Sequence, residues 1–326
     1  MTTRFTARSL ALAVALAGLA TVASSQTFPS KNIRIVVPYP PGSVVDIVPR
    51  LLAERMAADL GQPVVIENKT GGLGIPALTE TMNSPADGHL MVAVDAAQWA
   101  INPAMQQVPY DFLRDFKAVS MTFTNGLILY TSVQSGITSF EDLVAKAKAN
   151  PGALNYGSAG IGSVHQLAME TLKNALGIEL KHVPFRGSSA MVESLIRNDV
   201  QVGFSSVSVV VPQFKAGKAR MLAVTIPARI KQIPDVRSIA EITGLKDFNF
   251  PGEQGLVVKA ATPPAIIDRL NASIRKAAAP AELQAKVLDQ TAANLYPTTP
   301  EQMTEIIRTD IRKYAAAVKL AGAKAE

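Results

Sequence analysis

The feature that most limits this chain is a pattern found in both of its halves: a short strand, a loop rich in glycine and serine, and the start of a helix. It occurs first at residues 33–60. Ile33, Arg34, Ile35, Val36 and Val37 form a largely β-branched run of strand length, Pro38-Tyr39-Pro40-Pro41-Gly42-Ser43-Val44-Val45-Asp46 turns, and Ile47, Leu51, Leu52, Met56 and Leu60 recur at helical spacing. Glycine takes backbone angles that other residues avoid, and the amides opening a helix have no intrahelical acceptor, so such a junction favours negative charge. Taken alone, the stretch is either an anion cradle or a plain Pro/Gly turn. The pattern then repeats. Asn155-Tyr156 runs into Gly157-Ser158-Ala159-Gly160-Ile161-Gly162-Ser163 and a helix marked by Leu167, Leu172 and Leu176. A strand over 180–184 runs into Phe185-Arg186-Gly187-Ser188-Ser189 and a helix burying Met191, Leu195 and Ile196. Arg186 is a permanent cation whose planar fork suits a carboxylate, or else one member of a surface ion pair.

The remaining elements alternate in the same way. Pro49 would break a helix begun at Ser43, so Asp46 is the expected N-cap, with Pro49 in the first turn. Val64 to Ile66 is a strand, and Leu90 to Val94 a buried one ending at Asp95. Between them, Gly72-x-Gly74-x-x-Ala77 followed by Asp95 is a rival pattern, that of a dinucleotide-binding enzyme. Four polar residues separate that strand from the glycines, where a dinucleotide turn follows its strand almost at once. Two apolar runs, 119–123 and 127–130, flank Asn125-Gly126 and read as one strand crossing between domains, with Gly255 to Val258 as the return. This divides the chain into domain 1, residues 26–125 plus 250–326, and domain 2, residues 126–249. Ser139-Phe140-Glu141-Asp142 and Thr299-Pro300-Glu301-Gln302 are capping-box sequences that start helices. Ser205 to Ser208 closes a buried strand at an expected cleft edge.

Composition removes several classes of function. A chain of 326 residues with 48% hydrophobic content can bury two ordinary cores. Residues 1–25 read as an export leader, with Arg4 and Arg8, an apolar stretch from Ala11 to Ala20 and the small residues Ala23-Ser24-Ser25. Removing the two arginines with the leader takes the net charge from +6 to +4. That excess suits an acidic small molecule and lacks the clustered basic residues nucleic acid requires. The absence of cysteine excludes disulfides, thiolate metal sites and a lipid-bearing cysteine. Three histidines without metal spacing, no Gly-x-Ser-x-Gly elbow and a Ser273-x-x-Lys276 match inside an amphipathic helix leave little for catalysis. His165 reads as a helix-face residue near the second cradle. No enzyme and no cofactor are expected.

Nearly the whole chain resembles the Bug-type receptors of tripartite tricarboxylate transporters, also called TctC-like periplasmic solute-binding proteins. The matching stretches run from Ile35-Val36-Val37-Pro38-Tyr39-Pro40-Pro41-Gly42 and Leu60-Gly61-Gln62-Pro63-Val64-Val65-Ile66-Glu67-Asn68 through Ala86-Asp87-Gly88, Ile101-Asn102-Pro103 and Asn155-Tyr156-Gly157-Ser158. They continue at Val183-Pro184-Phe185-Arg186-Gly187, Ala216-Gly217-Lys218, Leu222-Ala223-Val224-Thr225 and Thr262-Pro263-Pro264. The resemblance implies a two-domain α/β fold of the type II binding-protein kind, a ligand cleft between the domains, a periplasmic location and a monomer that serves membrane permease subunits. It implies a small di- or tricarboxylate, or an aromatic acid, as ligand. It also implies a site in which Tyr39, Gly42, Ser43, Val44, Asp95, Ala97 and Gln98 face Ser158, Ala159, Gly160, Ser163, Arg186, Gly187, Ser188 and Ser206. The chain departs from the family pattern at Ser43, Val45, Asp95, Ile161 and Ser205-Ser206. Val44, Val45, Ile161, Phe185 and Trp99 are therefore candidates for an apolar slot, and Asp95 would oppose a second carboxylate or attract an amine. A ligand-presenting module for a membrane sensor is the alternative output for the same cleft.

Overall fold

A computed structural model describes residues 28–324; the expected export leader lies outside the described residues. Ten strands carry the fold: β1 (Ile33–Val37), β2 (Val64–Asn68), β3 (Leu90–Val94), β4 (Phe116–Ser132), β5 (Asn155–Ser158), β6 (Lys181–Pro184), β7 (Val202–Ser206), β8 (Ala219–Val224), β9 (Pro251–Lys259) and β10 (Asn294–Leu295). Their order is β2-β1-β3-β9-β4-β7-β5-β6, with β8 and β10 also paired to β4. The outer strands of each half are parallel and alternate with helices, while β4 and β9 run antiparallel to their neighbours.

The first lobe is a sheet covered on both faces, and strand parity shows it. Ile33, Ile35 and Val37 enter one apolar cluster with Met91, Ala93, Leu256 and Val258, beneath the helices Val44–Leu60 and Pro264–Ala278. Val36, Leu90, Val92, Val94 and Val257 point the other way into a second cluster. Successive strand residues face opposite sides, and when both sides are buried the strand reads as a continuous apolar run. Burying each such side chain contributes about 1.5–3 kcal/mol before chain entropy is counted.

The two lobes meet on β4, which changes partners midway. Phe116 to Gly126 pair with β9, whereas Leu127 to Ser132 pair with β7 and β8. The two expected apolar runs are thus one 17-residue strand. The return crossing lies at Phe250-Pro251-Gly252, ahead of the expected Gly255 to Val258, because Pro251 is the residue opposite Gly126. Thr225, fully buried, ties the two crossings together: its hydroxyl accepts from the Leu127 amide at 3.0 Å and donates to the Phe250 carbonyl at 2.8 Å. The last helix, Pro300–Ala321, begins with a complete capping box between Thr299 and Gln302. It packs against both the turn after β3 and the helix Val164–Leu176 of the second lobe.

One expected boundary is corrected. The first helix starts at Val44 with Ser43 as N-cap, so Pro49 lies in its second turn. Proline there deprives the Val45 carbonyl of its helical donor. The buried Gln254 side chain, arriving on β9, supplies one at 2.8 Å. A tertiary partner removes the cost that argued for a later start.

Candidate functional site

Between the lobes lies a cleft of about 1200 Å³. Its first wall is set by a hydrogen-bonded cluster behind the loop after β1. The Asp46 carboxylate accepts from the Gly42 amide at 2.9 Å, from the Asn68 amide group at 2.7 Å and from Arg50 at 3.0 Å. Asn68 also donates to the Tyr39 carbonyl. Burial opposes the Asp46 charge, yet the bonds from Arg50, Asn68 and Gly42 outweigh it and hold the carboxyl below its ordinary value. This cluster orients the helix start so that Val44 and Val45 line the cleft.

Tyr39, Asp95 and Gln98 form a second, closed cluster. The Tyr39 hydroxyl donates to Asp95 Oδ2 at 2.5 Å, and Ala97 N–H donates to Asp95 Oδ1 at 2.8 Å. Gln98 accepts from the Asp95 amide and donates to the Tyr39 oxygen. Burial drives the Asp95 carboxyl above its ordinary range, partly offset by the Tyr39 and Ala97 bonds. Burial, with Asp95 alongside, raises the Tyr39 phenol as well. The glycines of the rival dinucleotide pattern serve a different purpose. Gly74 lets its loop approach Pro38 and Gln98, since a Cβ there would stand 3.1 Å from Gln98 and 3.2 Å from Pro38.

The second wall adds a cation to its helix starts. Ser163 caps the helix Val164–Leu176 through its hydroxyl, and Gly187 precedes the helix Ser188–Ile196. The first amides of each helix have no intrahelical acceptor. Arg186 is exposed on the same wall and, among the described residues, forms no ion pair. His165, also lining the cleft, is held neutral by burial, which lowers its pKa from 6.5 to about 4.

Of the residues expected at the site, Tyr39, Val44, Asp95, Ala97, Gln98, Ala159, Gly160, Ser163, Arg186, Ser188 and Ser206 line this one cleft. Gly42, Ser43, Ser158 and Gly187 do not, and each is otherwise engaged. The Gly42 amide is bonded to Asp46, and Ser43 supplies its carbonyl to the first helix and its hydroxyl to the Pro40 carbonyl. Ser158 is fully buried, with its hydroxyl 2.7 Å from His182 Nε2. The Gly187 amide donates to the Ala159 carbonyl, joining the two loops of the second lobe. Val44, Val45, Ile161 and Phe185 reach the cleft, but Trp99 does not: it is buried and donates to Asp310 at 3.1 Å. The wall also contains residues that sequence reasoning missed, above all Asn125, Gly252, Glu253 and Lys324. A Glu-Gln pair interrupting an apolar strand was the available signal for Glu253. Among the described residues no cluster of three His, Asp or Glu side chains could hold a metal ion, and no helix is long and apolar enough to cross a membrane.

Two α/β lobes joined by crossing strands, with a cleft lined by helix starts from both, define a two-domain solute-binding protein. Residues 48–322 match the family model described as the tripartite tricarboxylate transporter family receptor, and the chain belongs to that family. It is 31% identical over 317 residues to protein BugT of Bordetella pertussis, covering 95% of both chains. Among solved structures, an R. palustris protein with adipate is 26% identical with a TM-score of 0.78, covering 91% of this chain and 99% of that one. MatC from Rhodopseudomonas palustris, with bound malate, is 26% identical with a TM-score of 0.73, covering 89% and 100%.

Proposed function

We propose that this chain is an exported, periplasmic receptor that captures a small carboxylate between its lobes and delivers it to the permease subunits of a tripartite tricarboxylate-type transporter. The observation that carries the reading is the second wall, where the unpaired Arg186 stands beside two helix starts on a cleft shared with the first lobe. Positive dipole ends and a guanidinium fork suit one anionic group. The acids held by two relatives, adipate and malate, support the same ligand class. The energetics suffice: micromolar binding needs about −8.2 kcal/mol. Charge-assisted hydrogen bonds contribute ~1.5–3 kcal/mol each, so four or five of them offset several kcal/mol of association cost. The proposed role needs no covalent step.

The test is a thermal-shift screen of aliphatic diacids, aromatic acids and amino acids, followed by calorimetry on Arg186→Ala. A bound acid raises the melting point because it binds only the folded state. The arginine variant is expected to bind it at least tenfold more weakly, the low end of a charge-assisted bond. A screen with no hit, or an affinity unaltered by the substitution, would sink the carboxylate reading. Delivery is tested separately: cells lacking the permease subunits should lose uptake of the acid identified. Retained uptake would reject that assignment.

A further inference from the structure

Behind the second wall, three side chains form a hydrogen-bonded chain that reaches the cleft only through backbone groups. His182 on β6, Ser158 at the end of β5 and Gln166 on the helix Val164–Leu176 meet behind the loop 159–163; the loop lines the cleft and none of the three does. One fixed donor sets the direction of every bond. The Gly162 amide donates to Gln166 Oε1 at 2.7 Å, so the other end of that carboxamide, Nε2, is the atom 3.3 Å from His182 Nδ1. An amide nitrogen only donates, so Nδ1 accepts and the ring carries its proton on Nε2. His182 Nε2 then donates to the Ser158 hydroxyl at 2.7 Å, and that hydroxyl donates to the Gly160 carbonyl at 3.0 Å. The Gly160 amide returns a bond to Ser158 at 3.2 Å. We propose that neutral His182 is a positioning residue of this receptor: through Ser158 and Gln166 it holds Gly160 and Gly162, and with them the shape of the loop that receives the ligand. The inference rests on the reading of this cleft as the capture site and adds the group that sets one of its walls.

The loop depends on these bonds because little else about it is rigid. Gly160 and Gly162 have φ of +132° and +74°, angles that glycine adopts among many others, so backbone preference alone does not select their conformation. Ser158 and Gln166 are buried, so water does not replace a bond that either of them loses. The loop also reaches the opposite lobe. A Cβ on Gly162 would stand 2.1 Å from Met105 Sδ, so a shift of Gly162 is felt where the lobes meet. Protonation of the ring works against the whole arrangement. A proton on Nδ1 would face the Gln166 amide group, and turning that carboxamide to accept it would leave the Gly162 amide without its acceptor. Burial lowers the His182 pKa below 6.5; of the charged groups around the ring, Glu170 raises it and Lys173 lowers it. Both lie on the helix Val164–Leu176, while the ring stacks on Tyr156 of β5, whose hydroxyl donates to Glu170.

Magnetic resonance of the nitrogen-labelled full chain tests this without a ligand. His182 is expected in the Nε2–H form, in contrast to His89, whose Nε2 accepts from the Ser30 amide and whose proton is therefore on Nδ1. The amide signals of Gly160 and Gly162 are expected to shift with the midpoint of the His182 ring as pH falls through the range below about 6.5. His182→Gln keeps a donor for Ser158 and does not titrate, so it should remove that pH dependence. His182→Phe keeps the stack on Tyr156 and neither hydrogen bond; it should speed hydrogen exchange at the Gly162 amide severalfold. In calorimetry at neutral pH the phenylalanine variant should bind adipate severalfold more weakly than the parent, with most of the affinity kept in His182→Gln. Both variants are first checked for cooperative unfolding. A ring protonated on Nδ1, glycine signals that ignore its titration, or equal adipate affinity in the parent and His182→Phe overturns the inference and leaves the carboxylate reading intact. If the parent does not bind adipate, the ligand-free signals alone decide the inference, and the wider screen decides the carboxylate reading.

Discussion

The two jaws reach the same cleft by different means. In the first lobe the helix start is held from behind: Asp46 occupies the Gly42 amide, Gln254 completes the Val45 carbonyl, and what faces the cleft is Val44, Val45 and the Asp95 network. In the second lobe the helix start is capped by its own Ser163, and the exposed Arg186 stands at the cleft with no carboxylate paired to it among the described residues. One wall therefore presents apolar surface and the Asp95 network, and the other presents an unpaired cation. Under the proposed function, this polarity directs the anionic end of the ligand to the second lobe.

The sharpest consequence is in pH, because each jaw buries a titratable group with the opposite sign. His165 is held neutral, its pKa lowered by burial from 6.5 to about 4. The unfolded chain takes up this proton first, so stability present above pH 6.5 is lost as pH falls toward 4, by at most about 3 kcal/mol. His165→Phe should flatten this acid limb in urea denaturation. Glu253 behaves in reverse. Burial, with Asp310 nearby, raises its carboxyl above the ordinary 4.5, so stability is full below pH 4.5 and declines as pH rises. Glu253→Gln should flatten that decline, with a higher melting temperature at pH 8 than the parent and little difference at pH 4. Parallel pH profiles for the parent and either variant would remove that half of the contrast.

The next effect probes how each jaw is supported. Gln254→Leu leaves the Val45 carbonyl without a donor inside the first lobe, and a loss of about 1–3 kcal/mol in chemical denaturation is expected. Ser163→Ala removes a cap, typically worth about 1 kcal/mol, and is the smallest of these effects. If the serine substitution proved the costlier, the second jaw would not be the locally stabilised one.

Much of this was legible in advance because it is local. The strand, loop and helix order, the β4 crossing, and the caps at Ser139 and Thr299 follow from residues within four positions of one another. Pro49 misled for the same reason, since the partner that accommodates it is Gln254, on a distant strand. Among the residues that line the cleft, most of those on the loops were expected there and those on the crossing strands were missed. Asn125 reads only as a break between two apolar runs, and the Glu253-Gln254 pair only as a polar interruption just ahead of the expected return; where β4 and β9 pass relative to the cleft is set by their pairing.

The sequence by itself determined the alternation of elements, their ends and the two donor-bearing loops, because backbone preference, capping and apolar periodicity act over a few residues. Only the tertiary structure decided which amides are already engaged, which acids are buried and which oxygens lack partners. Those properties depend on strands far apart in the chain arriving side by side, and burial and hydrogen-bond competition exist only once they have.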